Sequence, residues 1–205
     1  PFTMTQQAQD DHYGDRSRLA MDFARAVNDE MHDLASAGAD IIQLDEPYME
    51  ARTEQALEYG IDAFNAAIDG VKATKAIHIC CGYAQFVHDK VGKPHYTMLS
   101  ALRDTDVQQI SIEGAQPRLD TKILADLHDK TIIFGVIDLG TNEVEKPEVV
   151  AERIRGAIQH TSPERLLPAP DCGLKYLDRD VAYAKLVALV EGTRLVRREL
   201  GCDDV

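Results

Sequence analysis

The sequence predicts an α/β fold on a parallel sheet, either the later part of a (β/α)8 barrel or an open sheet, and three observations carry the parallel α/β expectation. Short apolar runs alternate with amphipathic segments along the whole chain. The runs are nearly continuous in apolar residues, as in Thr131-Ile-Ile-Phe-Gly-Val-Ile137, the pattern of strands covered on both faces. Several residues able to do chemistry sit at or just past the C-terminal ends of those runs, the rim on which parallel α/β proteins gather their sites.

Phe2-Thr3-Met4 reads as a short first strand. Residues 16–37 read as an amphipathic helix, with Leu19, Phe23, Val27, Met31 and Leu34 at three- and four-residue spacing. Gly38 is a natural stop for it. Asp40-Ile-Ile-Gln-Leu-Asp45 is the next strand, ended by Glu46-Pro47. A helix over 53–70 follows, with Thr53 as candidate N-cap and Gly70 at its end. Then come a strand over 75–80, a helix near 95–103, a strand over 107–113 and a helix over 120–128. A strand over 131–138 precedes a helix over 147–160, which opens on Pro147 as first-turn prolines do. A strand over 165–169 and a helix over 178–200 complete the chain.

These are five clear strands and one short one, against the eight of a closed barrel. The chain is therefore expected to hold roughly the last five or six βα units, as a single portion over 1–205 with the N-terminal strands missing. An open sheet is the alternative. The longest polar connections, 84–96 and 139–147, both follow strand ends, where functional loops sit.

Composition narrows the function classes. The chain has 205 residues, 28% of them charged, and a net charge of −13, which argues against a nucleic-acid or anionic-membrane surface. No apolar run approaches the roughly 18 residues needed to span a bilayer. The first residues lack a secretory pattern, so a cytoplasmic protein is expected. Four cysteines in a chain of this length suit metal binding, catalysis or core packing better than a disulfide framework. Of these, Cys202 is expected to be incidental.

Four residues then stand out: His78, Cys80, Glu113 and Cys172. Alternation along His78-Ile-Cys80 points both side chains to one face, while Cys81 points into the wall. Glu113 ends Ile110-Ser-Ile-Glu113, and a carboxylate there must be ligated or paired, with Arg118 as the nearby cation. Cys172 lies in Pro170-Asp-Cys-Gly-Leu174, stiffened by Pro168 and Pro170. One imidazole, two thiolates and a displaceable carboxylate form a donor set that suits zinc. Asp45-Glu46 and Asp138 end other strands; each is a candidate amine-binding or acid/base group, or a simple cap or turn. Glu143, Glu145 and Glu148 read as a solvated acidic face.

These motifs together resemble the catalytic domain of cobalamin-independent methionine synthases, over essentially the whole chain. Ile42-Gln-Leu-Asp-Glu-Pro47, His78-Ile-Cys80, Ile110-Ser-Ile-Glu113 and Pro170-Asp-Cys-Gly-Leu174 occur in that family's order. The resemblance implies a (β/α)8 barrel and zinc held by His78, Cys80, Glu113 and Cys172. It also implies a homocysteine amine bound by Asp45 and assisted by Glu46, with Asp138 as a catalytic carboxylate. Its reaction is methyl transfer to homocysteine, giving methionine. Two positions depart from the folate-dependent members. The chain has no Trp where they carry one just after the first motif, and Gly140 stands where they carry a His. Both departures weaken the case for folate as donor and point to the short, core-type branch. The zinc motif Ile77-His-Ile-Cys-Cys-Gly-Tyr83 also resembles that of epoxyalkane:coenzyme M transferases. Alkylation of another thiol such as coenzyme M is therefore the rival reaction. A non-catalytic barrel fragment completed by a partner, a second copy or the missing N-terminal half is the rival from another class.

Overall fold

A computed structural model describes residues 1–80, 96–127 and 129–202. Cys81 and nearly all of the 84–96 connection lie outside the described residues. Five strands, β1 (Ile41–Asp45), β2 (Thr74–Ile79), β3 (Gln109–Ile112), β4 (Thr131–Ile137) and β5 (Leu166–Pro170), hydrogen-bond in sequence order. The pairs β1–β2 and β4–β5 are parallel, as the apolar runs implied. The chain falls into two compact units, 1–111 and 112–205. Among the described residues no helix is long and apolar enough to cross a membrane.

The first unit begins with a correction. Phe2-Thr3-Met4 is not a strand but the start of α1 (Phe2–Gln7). The reason is Glu46, fully buried just past β1. Its two carboxylate oxygens accept the N–H groups of Phe2 and Thr3 at 2.9 and 2.7 Å. A carboxylate on the first free N–H groups favours a helix start. Arg16 donates to the carbonyls of Thr5 and Ala8 at the other end.

Helix α2 (Arg16–Ser36) matches its expected range closely. The Asp15 side chain caps it by accepting from Ser17 N and Arg18 N. Gly38 takes φ +99, which glycine adopts without strain. The buried stripe is Leu19, Ala20, Ala24 and Met31, rotated from the expected one so that Leu34 is exposed. Small Ala20 and Ala24 suit close packing against α5 (Ile61–Ile68). Asn28 of α2 donates to the carbonyls of Ala67 and Asp69, which α5 leaves open at its end.

The expected single helix over 53–70 is in fact α3 (Tyr48–Ala51), α4 (Thr53–Gln55), a π-helical turn over Ala56–Gly60, and α5. Arg52 leaves helical geometry at φ −134, ψ 48. The Thr53 hydroxyl donates back to Glu50 O instead of capping. The π turn brings Tyr59 and Gly60 against the buried Phe2 ring, where a Cβ on Gly60 would stand 2.9 Å from that ring. Helix α6 (Leu99–Arg103) then leads into β3.

In the second unit the expected helix over 120–128 is a 3-10 helix over Thr121–Leu127. Its buried residues Leu124 and Leu127 are three apart, the 3-10 period. Pro168 and Pro170 cannot donate to a ladder, which suits β5 to its place at one end of the strand order. Between Gly135 and Ile137 the β4–β5 register slips. Helices α7 (Pro147–Ile158) and α8 (Arg179–Glu199) cross so closely that a Cβ on Gly192 would meet Pro147 O and Val150 Cβ at 2.6 Å.

Glu143 and Glu148 are exposed as expected, but one ion pair corrects the reading of Glu145 as solvated. Lys185 of α8 is completely buried, and its Nζ donates to Asp138 O, Glu143 O and Glu145 Oε2. Glu145, with a side chain 7% exposed, accepts from Asp138 N on its other oxygen at 2.7 Å and from Arg153 at 3.3 Å. Burial pushes its carboxyl up, but the hydrogen bonds from Lys185 and Asp138 N prevail and hold it below its usual value. The polar connection after β4 is thus pinned from inside.

Two outcomes follow. Gly192→Ala should force α7 and α8 apart and lower stability by about 1–3 kcal/mol, read by denaturant unfolding. Glu145→Gln should cost about 1–3 kcal/mol at neutral pH. A lowered folded-state pKa gives stability that is present above the ordinary value of 4.5 and lost as pH falls through the lowered one. The gap between wild type and Glu145→Gln should therefore close on acidification below that value, and a gap constant with pH would contradict the assignment.

Candidate metal centre

In the first unit, β1 and β2 place Asp45 opposite His78 in register, and Glu46 N donates to His78 O at 2.9 Å. The run Thr74–Ile79 is apolar and buried around His78, so the imidazole is only 8% exposed. Cys80, one residue past β2, is 5% exposed. His78 Nδ1 lies 2.8 Å from the buried hydroxyl of Ser111. With the proton on Nδ1 donated to Ser111, the Nε2 nitrogen carries the lone pair that a metal needs. Asp45 is exposed, and Gln43 donates to its carboxylate. Glu46 is placed differently from what its sequence position suggested, with both oxygens engaged by the start of α1.

In the second unit, Glu113 follows β3 directly and is 5% exposed. Cys172 is half-buried two residues past β5. Asp138 follows β4, half-buried, and its Oδ1 accepts from Gly140 N at 2.7 Å, a local turn. Its backbone is held by Glu145 and Lys185.

Asp171 is the residue that sequence reasoning passed over. It is 1% exposed, and its carboxylate accepts three successive backbone N–H groups: Gly114 and Ala115 at 3.0 Å and Gln116 at 2.6 Å. Burial drives its pKa up to about 6, against the pull of these three bonds, and the charge of Asp138 adds to the rise. Gly135 has no Cβ because Asp171 occupies that space, and a Cβ on Gly114 would strike Phe134. The available signal was the two sequence segments themselves: an acid beside Cys172, and a glycine after Glu113.

Among the described residues, His78 and Cys80 of the first unit and Cys172 of the second are a group of side chains that could hold a metal ion. Glu113 is not in that group. Zinc takes imidazole nitrogen and thiolate sulfur together, so this donor set fits such an ion in chemistry. An imidazole and two thiols are soft to borderline donors, unlike the oxygen sets of calcium or magnesium.

The family model described as "Cobalamin-independent synthase, Catalytic domain" matches residues 1–194. The chain is 39% identical over 202 residues to a methionine synthase of Saccharolobus islandicus, covering 98% of this chain and 57% of that one. It is 36% identical over 201 residues to a methionine synthase of Thermococcus kodakarensis, covering 98% of this chain and 56% of that one. A B12-independent methionine synthase from Shewanella sp. W3-18-1, solved in complex with selenomethionine, superposes with a TM-score of 0.91 at 33% identity. That match covers 98% of this chain and 61% of the solved one. The chain thus spans somewhat over half the length of these relatives. The α/β, barrel-type expectation stands, and the chain belongs to the family of the cobalamin-independent synthase catalytic domain.

Proposed function

We propose that this protein is a zinc-dependent thiol methyltransferase that transfers a methyl group to homocysteine and releases methionine. The observation that carries the reading is the donor set of His78, Cys80 and Cys172 in a chain of this family. These three residues would hold the zinc, with Glu113 as a fourth, displaceable ligand. Zinc bound there would supply a lowered thiol pKa, so that the substrate sulfur reacts as thiolate at neutral pH.

The chain's own residues would do the rest. Ser111, 2.8 Å from His78 Nδ1, would hold the ring's orientation and, by accepting the hydrogen bond from Nδ1–H, leave Nε2 for the metal. Asp45, exposed beside His78, would bind the substrate's ammonium and so hold its sulfur for in-line attack. Glu46 would support that rim by tying α1 beneath it. Asp138 would line the reacting centre as the proton-handling carboxylate, its backbone fixed by the Lys185–Glu145 pair. In the reaction the sulfur gives up its proton to solvent and forms a bond to the methyl carbon, while the bond from that carbon to its donor breaks with its electron pair kept by the donor.

Cys80→Ser and Cys172→Ser should each reduce bound zinc from about one equivalent to a small fraction and abolish methyl transfer with it. Elemental analysis beside a methionine-formation assay reads both. A variant that keeps full zinc and full activity would overturn the ligand assignment. Asp45→Asn should raise KM for homocysteine by about 10–100-fold, the worth of one hydrogen bond to a charged group, with a smaller effect on kcat. Offering coenzyme M in place of homocysteine tests the rival reaction. Faster consumption of coenzyme M would replace homocysteine as the substrate and leave the zinc site standing.

A further inference from the structure

Asp171 has no part in the ligand set, yet its carboxylate is 1% exposed and it adjoins Cys172 in the chain. Its two oxygens close on three consecutive N–H groups, those of Gly114, Ala115 and Gln116. Such a run of N–H groups is a nest for an anion. The anion here is internal, and it comes from the residue next to Cys172. The first donor is the residue next to Glu113. Two glycines make the close approach feasible: Gly135, whose missing Cβ leaves the volume that Asp171 fills, and Gly114, whose missing Cβ admits the Phe134 ring. Asp171 N in turn donates to Ile137 O at 3.2 Å, just after the register slip in β4–β5, so the backbone as well as the side chain is fixed.

We propose that Asp171 is a positioning residue, an internal anion that locks the turn after Glu113 to the loop carrying Cys172 and so sets both side chains in place for the metal. This rests on the zinc reading above. Three bonds to one buried carboxylate define distance and angle together, which one bond would not. A neutral amide of the same size keeps one acceptor but turns its NH2 towards donors, so it cannot close the nest.

The test uses the intact protein, zinc, and a competing chromogenic chelator. Asp171→Asn should weaken zinc binding by about 10–100-fold, the range for residues that orient ligands. Gly192→Ala, whose new Cβ would meet Pro147 and Val150 and no candidate ligand, should destabilise the fold while leaving zinc affinity at the wild-type value. Wild-type affinity in Asp171→Asn, or an equal loss in Gly192→Ala, would overturn the proposal. If Asp171→Asn does not fold, amide exchange in the wild type decides. Slow exchange at Gly114, Ala115 and Gln116, relative to the rate of a free peptide, supports the clamp, and fast exchange at the three refutes it. A wild-type protein that takes up no zinc would instead overturn the proposed function, and the exchange rates would still decide whether the clamp exists.

Discussion

A buried carboxylate must be answered by hydrogen bonds or it destabilises the fold, and this chain answers three of them with its own backbone. Glu46 after β1 takes the N–H groups of Phe2 and Thr3. Asp171 after β5 takes those of Gly114, Ala115 and Gln116. Glu145 takes that of Asp138, just past β4. Each clamp sits where a strand ends and a candidate site residue begins. Strand ends are where backbone groups leave the ladder and need new partners, so the same acids that satisfy the backbone also fix the loops. The conversion of Phe2–Gln7 to helix, the pinned connection after β4 and the paired placement of Glu113 and Cys172 all depend on this device.

The cost of the device shows in the opposed effects on these groups. Burial alone raises both Asp171 and Glu145. Glu145 has a buried ammonium opposite it, and its carboxyl ends below the ordinary value. Asp171 has only neutral N–H donors, with Asp138 adding negative charge, and it ends at about 6. Glu145 is the less deeply buried of the two, and its hydrogen bonds from Lys185 and Asp138 N outweigh desolvation where the three on Asp171 do not.

Much of this was legible in the sequence. Continuous apolar runs gave the parallel strands, and alternation along His78-Ile-Cys80 gave one face presenting an imidazole and a thiol. What could not be read depended on long-range partners. Phe2-Thr3-Met4 has strand-like residues, but Glu46, more than forty positions away, supplies the cap that makes it helical. The 53–70 pattern is helical in period, but the buried Phe2 ring selects a π turn at Gly60. Glu145 looks solvated beside Glu143 and Glu148, until Lys185 reaches it from α8. Lysine in an amphipathic helix normally signals the outer face, and here it is fully buried. Asp171 was hidden by its neighbour, since a cysteine in such a motif draws the attention that the aspartate merits equally.

The central claim is that His78, Cys80 and Cys172 form one thiol-activating zinc site. X-ray absorption at the zinc edge of the purified protein tests it most directly. The account expects two sulfur neighbours at about 2.3 Å and an imidazole nitrogen among the remaining light-atom neighbours. Zinc surrounded by nitrogen and oxygen alone would contradict it.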